Sequence, residues 1–174
     1  KELTPLDERD EIKYTPQQLS EIEEAILHEK CQGSSPRYWE ELSVGDPLGI
    51  VTKGPLSIMD IVAWCAGTMG SPDTQTGFSA GGLDDQTATG PQLAAWVMHL
   101  LTNWMGDDGF LHELTVTFSG LPSLGSTTTI SGSVSSTFLD ENKCFCEITF
   151  TCLLQNGELI ANGTALIEVP KSKS

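Results

Sequence analysis

The spacing of apolar positions changes character twice along this chain. Leu19, Ile22 and Ile26 recur at the interval of one helix face, with glutamates on the other side. Thr15-Pro16-Gln17-Gln18 stands before them: a capping hydroxyl, a first-turn proline and a glutamine able to reach back. An amphipathic helix is expected from there until Gly33, lying against the body or a partner. Ser57, with Asp60 three residues on, caps a second helix over about Ile58 to Ala66. The densest apolar stretch follows. Leu93, Val97, Leu100, Leu101 and Trp104 form one stripe, and Trp96 and Met98 carry apolarity beyond it, which predicts a helix covered on more than one side. Thr89-Gly90-Pro91-Gln92 repeats the starting device seen at Thr15, and Gly106 ends the helix.

Beyond Gly106 the period falls to two. In "LTVTFSG", Leu114, Val116 and Phe118 alternate with polar residues, as in a strand with one buried face. "STTTISGSVSSTFL" is β-branched and polar, with a glycine marking a bend or bulge. "KCFCEITFTCLLQ" alternates again, Asn156-Gly157 signals a hairpin, and "ELIANGTALIEV" closes the sheet. A short strand around Ile50 and Val51 sits in the turn-rich stretch from Arg37 to Leu56. A buried helix followed by four strands predicts an α+β domain, a helix on an antiparallel sheet. The expected organisation is a flexible acidic arm over residues 1–14, one domain over 15–170 and an exposed tail over 171–174. "GTMGSPDTQTGFSAGG", from Gly67 to Gly82, reads as a long loop of the functional kind, immediately before the apolar helix.

A length of 174 residues suits one domain, and a net charge of -15 argues against nucleic acid and anionic membrane surfaces as partners. No apolar run reaches the ~18 residues of a membrane span, and the N-terminus has no targeting core. The chain starts at Lys1, which suggests a processed or excised chain. A cytoplasmic protein is expected. Its five cysteines lack a spaced framework, and Cys144, Cys146 and Cys152 share one strand face, so they read as reduced core thiols. No metal site and no cofactor is expected. The sequon Asn162-Gly163-Thr164 matters only in a secreted protein.

Three segments carry a resemblance. "RYWEELSVGDPLGIVTKGPLSIMDIVAW", "TGPQLAAWVMHLLTNWMGDDGFL" and "LTVTFSGLPSLGSTTTISGSV", in this order, resemble the MaoC-like dehydratase family of enoyl-thioester hydratases, over roughly Ser35 to Val169. The resemblance implies a hotdog fold, a long central helix wrapped by an antiparallel sheet, here with an extra N-terminal helix. It also implies a homodimer with pockets at the subunit interface, and addition or removal of water beside the carbonyl of an acyl thioester. In such proteins an aspartate and a histidine before the central helix move the proton, and a backbone N–H at the helix start polarises the carbonyl.

The family's acid–base motif is not matched. Laid in register, Gly70-Ser71-Pro72-Asp73-Thr74-Gln75-Thr76 puts Ser71 where the aspartate belongs and Thr76 where the histidine belongs. Neither hydroxyl titrates usefully without an activating base. The titratable candidates are therefore Asp73, Asp84, Asp85 and the helical His99, with Ser71, Thr76, Thr89, Gly90 and Trp96 as substrate-binding candidates. His28 and His112 read as surface residues, and Asp107 and Asp108 as a helix stop. Two classes of function remain open. One is an enzyme acting on an acyl thioester or polyketide-like small molecule, a hydratase or dehydratase or else a cyclase or isomerase reusing the pocket. The other is a non-catalytic hotdog subunit completing a partner's site in a hetero-oligomer. Cations inside the folded region are few, Arg37, Lys53 and Lys143 among them, which weighs against the phosphates of coenzyme A and leaves coenzyme A, a carrier protein and a free small molecule open.

Overall fold

The computed structural model describes residues 12–68 and 87–172. Among the described residues three α-helices, α1 (Pro16–Leu27), α2 (Ile58–Gly67) and α3 (Gly90–Met105), accompany five strands, β1 (Pro47–Lys53), β2 (Phe110–Phe118), β3 (Thr128–Asp140), β4 (Lys143–Leu154) and β5 (Leu159–Val169). The strands form one antiparallel sheet in the order β1-β3-β4-β5-β2, so β1 and β2 are its edges. The architecture is the α+β arrangement expected, a long helix lying in the hollow of a curled sheet.

The core explains why. Leu93, Val97, Leu100, Leu101 and Trp104 of α3 are all buried and meet the inward faces of β3, β4 and β5. On β4 the inward set is Cys144, Cys146, Ile148, Phe150 and Cys152, while Glu147, Thr149 and Thr151 are exposed, a period of two broken at Phe145, which is buried on the outer face against Phe138 and His112. Opposite them β5 presents small residues, Ala161, Gly163 and Ala165. A Cβ at Gly163 would strike the backbone carbonyl of Thr115 and come within 2.7 Å of the Phe150 ring, so only glycine fits there.

The β4–β5 turn follows its sequence signal. Gly157 takes positive φ in the turn from β4 to β5, and Asn156 Oδ1 accepts from Glu158 N. In β3 the register shift lies between Val134 and Ser136, two residues after the glycine expected to mark it. Gly132 instead serves close approach: a Cβ there would sit 2.7 Å from the Thr149 carbonyl.

Two further elements differ from expectation. α1 ends at Leu27, not near Gly33, with His28 Nδ1 against the Glu24 carbonyl at its C-cap. Its apolar stripe lies along β1 only loosely, leaving Leu19 and Ile26 exposed. β2 is an edge strand, so Leu114 and Val116 are half-buried and Phe118 is 43% exposed rather than enclosed. Ahead of α1, the Tyr14 hydroxyl donates to the Gly125 carbonyl. No described helix is long and apolar enough to cross a membrane.

Cys31 is exposed, whereas Cys65, Cys144, Cys146 and Cys152 are buried and all are free. Burial pushes the Cys146 and Cys152 thiols up to about 12, Arg37 opposing it weakly at Cys146. A thiol reagent at neutral pH should therefore modify one cysteine, Cys31, quickly, and the other four only on unfolding. Fast labelling of two or more in the native protein would be incompatible with this core.

Candidate functional site

The two ends of α3 are finished differently. At the C-terminal end Gly106 adopts φ 72° and its N–H donates to the Thr102 carbonyl. Gln32 N donates to the Asn103 carbonyl at 2.7 Å. Arg37 Nε donates to the Trp104 carbonyl at 2.7 Å, with its guanidinium 4.7 Å from the centre of the Trp104 ring. Burial lowers the Arg37 pKa, against the pull of Glu41, Asp46 and Cys146. The Thr102, Asn103 and Trp104 carbonyls of that end are thus met by a cation and two backbone donors.

At the N-terminal end the Thr89 hydroxyl accepts from Gln92 N at 3.2 Å and the Thr89 carbonyl from Leu93 N. Pro91 has no N–H. The Gly90 N–H is left without a partner among the described residues, at the positive pole of the helix. Gly90 has no side chain to shield it; a Cβ there would rest 3.7 Å from the Phe118 ring. Phe118 belongs to the exposed edge strand β2. The signal for its part at the tip was the aromatic ending "LTVTFSG", read only as a core position.

Beside the tip, Ala88 is fully buried with Leu56, Ile61 and Cys65, and Trp64, Trp96 and Leu124 pack on them. Trp96 also borders the main core, so it joins the two clusters. Gln92 was expected to reach back as Gln18 does. In α1 that device closes, Gln18 Oε1 accepting from Thr15 N at 2.8 Å. In α3 it does not: Gln92 is 3% exposed, and its Oε1, like Trp64 Nε1, is buried with no hydrogen-bond partner among the described residues.

The structure places Thr89, Gly90 and Trp96 around the start of α3. It does not bring His99 there, since nine helical residues separate it from Gly90, about 14 Å along the axis. His99 instead faces Glu29, with Nε2 3.3 Å from Glu29 Oε2, and Glu29 also lies 3.8 Å from Lys53 Nζ and accepts from Thr52 N. Glu29, beyond the end of α1, carried no sequence signal for this contact. Ser71, Asp73, Thr76, Asp84 and Asp85 lie outside the described residues. Among the described residues no group of three or more His, Cys, Asp or Glu is arranged to hold a metal ion.

His112 Nε2 and Lys143 Nζ meet Glu168 Oε2 at 2.7 and 2.8 Å on the outer face of the sheet, holding that carboxyl below its usual range. On the same face a depression of about 280 Å³ lies over Ser131, Ser133, Thr149 and Thr151. It holds no titratable group and is on the side away from α3, so it offers no acid–base chemistry.

No family model matches the chain, and no curated protein matches it in sequence. Solved structures do. The (R)-hydratase PhaJ1 of Pseudomonas aeruginosa superposes with a TM-score of 0.66 at 17% identity, over 79% of this chain and 88% of that one. A MaoC-like dehydratase of Rhodospirillum rubrum gives 0.64 at 17% identity, over 79% and 99%. The ChsH1-ChsH2 complex of Mycobacterium tuberculosis gives 0.58 at 16% identity, over 74% and 98%. The chain has the hotdog fold, and its structural neighbours are MaoC-like dehydratases and (R)-hydratases.

Burial first, and Lys53 second, lower the His99 pKa, with Glu29 working in the opposite direction. The folded chain then binds this proton less readily than the unfolded one, so stability falls as pH drops through the ordinary histidine range. Replacing His99→Gln should flatten the loss of melting temperature between about pH 7 and pH 5.5. An unchanged slope in thermal melts would show that His99 does not contribute.

Proposed function

We propose that this chain is a hydratase- or dehydratase-type lyase acting beside the carbonyl of an acyl thioester or polyketide-like small molecule. The observation that carries the reading is the start of α3, where the Gly90 N–H, unpaired among the described residues, stands at the positive pole with no Cβ of its own and the Phe118 ring close by. Adding water to an enoyl thioester puts negative charge on the thioester oxygen as the enolate forms. A fixed N–H aimed at that oxygen, reinforced by roughly half a unit charge of helix dipole, lowers the barrier without reorganising. The likeness to PhaJ1 and to the MaoC-like dehydratase supports the same chemistry.

The proton must come from elsewhere. With Ser71 and Thr76 at the dyad positions, Asp73, Asp84 and Asp85 are the carboxylates the sequence supplies before the helix. One of them, placed in an apolar setting that raises its pKa, would exchange protons near neutrality. The carrier on the thioester is better read as uncharged than as coenzyme A. Arg37 is spent on the Trp104 carbonyl, Lys53 faces Glu29, and Lys143 is tied to Glu168.

The working unit is read as a homodimer. β2 offers an unpaired edge bearing exposed Phe110 and Phe118, and a second copy there would enclose the Gly90 tip. A second hotdog subunit, of the kind the ChsH1-ChsH2 complex exemplifies, is the alternative, and the hydroxyls at Ser71 and Thr76 favour it.

Turnover of a short trans-2-enoyl thioester, followed by ultraviolet absorbance, tests the reading. Asp73→Asn, Asp84→Asn or Asp85→Asn should lower kcat by roughly 10²- to 10⁴-fold in the variant that removes the acid. Absence of turnover at high enzyme would retire it, and a chain soluble only when co-expressed with a second hotdog subunit would favour the non-catalytic role.

A further inference from the structure

The helix that carries the site begins with a device the chain uses twice and completes once. Thr15 and Gln18 close a reciprocal pair at the start of α1. Thr89 and Gln92 occupy the same relative positions, yet only the Thr89 half is made. An N3 side chain leans toward the N-terminus of its helix, because Cα–Cβ bonds tilt that way. Gln92 is therefore directed at the tip and almost wholly buried, with its carboxamide oxygen unpaired. A buried acceptor with no donor is a standing cost that a ligand bearing a donor removes on binding. Trp64 Nε1, on the neighbouring α2, is a buried donor in the same condition. Trp64 packs on the cluster around Ala88, the residue before the Thr89 cap, and Trp96, one helical turn beyond Gln92, packs there too. The third such group, the Thr128 hydroxyl, belongs to β3.

A hydroxyl supplies the donor that Gln92 Oε1 lacks. We propose that Gln92 is a specificity-determining residue, whose Oε1 accepts a hydrogen bond from the 3-hydroxyl of a hydroxyacyl thioester while Gly90 faces the carbonyl. Gln92 does not titrate, so it fixes the position of the oxygen that is lost or gained and leaves the proton to a carboxylate. This rests on the acyl-thioester reading above and assigns the group that the pocket recognises.

The probes are N-acetylcysteamine thioesters of 3-hydroxybutyrate, 3-methoxybutyrate and butyrate, with affinities measured by calorimetry on the full chain. The wild type should bind the hydroxy compound roughly 5- to 100-fold more tightly than the other two, since the methoxy group lacks the donor. Gln92→Met should bring that ratio to one, leave the butyryl affinity unchanged, and raise the melting temperature by a few degrees because the unpaired oxygen is gone. A lower melting temperature or a failure to fold would show that the carboxamide is a structural partner, and would overturn the proposal. So would a ratio of one in the wild type, or a ratio that survives in Gln92→Met. If those results came with hydration of the enoyl thioester intact, the lyase reading would stand and the role of Gln92 alone would fall. Should the wild type bind none of the three thioesters and turn over no enoyl thioester, both would fall together.

Discussion

Everything in this molecule is arranged around the need to keep one helix out of water. Leu93, Val97 and Leu101 of α3 show no exposure at all, and Leu100 and Trp104 almost none. A helix with so wide an apolar surface cannot rest on a flat layer; it has to be held in a trough. β4 and β5 make the trough with large residues facing small ones, Ile148 against Ala165 and Phe150 against Gly163. Truncating one such leucine to alanine typically costs about 2–5 kcal/mol in a packed core, a large share of the roughly 5–15 kcal/mol by which a domain is stable.

Seating the helix this way fixes where its ends come out. One end meets Arg37, Gln32 and Gly106 and has its Thr102, Asn103 and Trp104 carbonyls answered. The other emerges beside an edge strand with an amide and a carboxamide unanswered among the described residues. A fold can tolerate a small number of unpaired buried groups only where something else is gained. The contrast between the ends of one helix therefore says more about function than the identity of either group alone.

Much of this could be read in advance because burial writes a period into the sequence. The inward cysteines of β4, the stripe of α3 and the Ser57–Asp60 cap all follow from spacing. What escaped was decided by neighbours distant in sequence. Gln92 and Gln18 have the same local setting, and only packing beside Ala88 and Trp64 separates them. His99 and Glu29 meet across seventy residues of chain, which no local pattern encodes. Phe118 alternates correctly with Val116 but lies on an edge, so its period predicted burial that the strand order denies it. The aspartates proposed as acids stand before α3 in sequence, and there only the chemistry of the residue types speaks.

The engagement of Arg37, Lys53 and Lys143 has a kinetic side. With those cations turned inward or paired, a chain of net charge -15 presents an approaching anion with repulsion that its few other lysines, Lys30 among them, only partly offset. Such repulsion is long-ranged at low ionic strength and shrinks to about 8 Å in physiological salt. A phosphate-bearing carrier would thus meet this surface faster as salt is added, while a neutral thioester would arrive at the same rate in either medium.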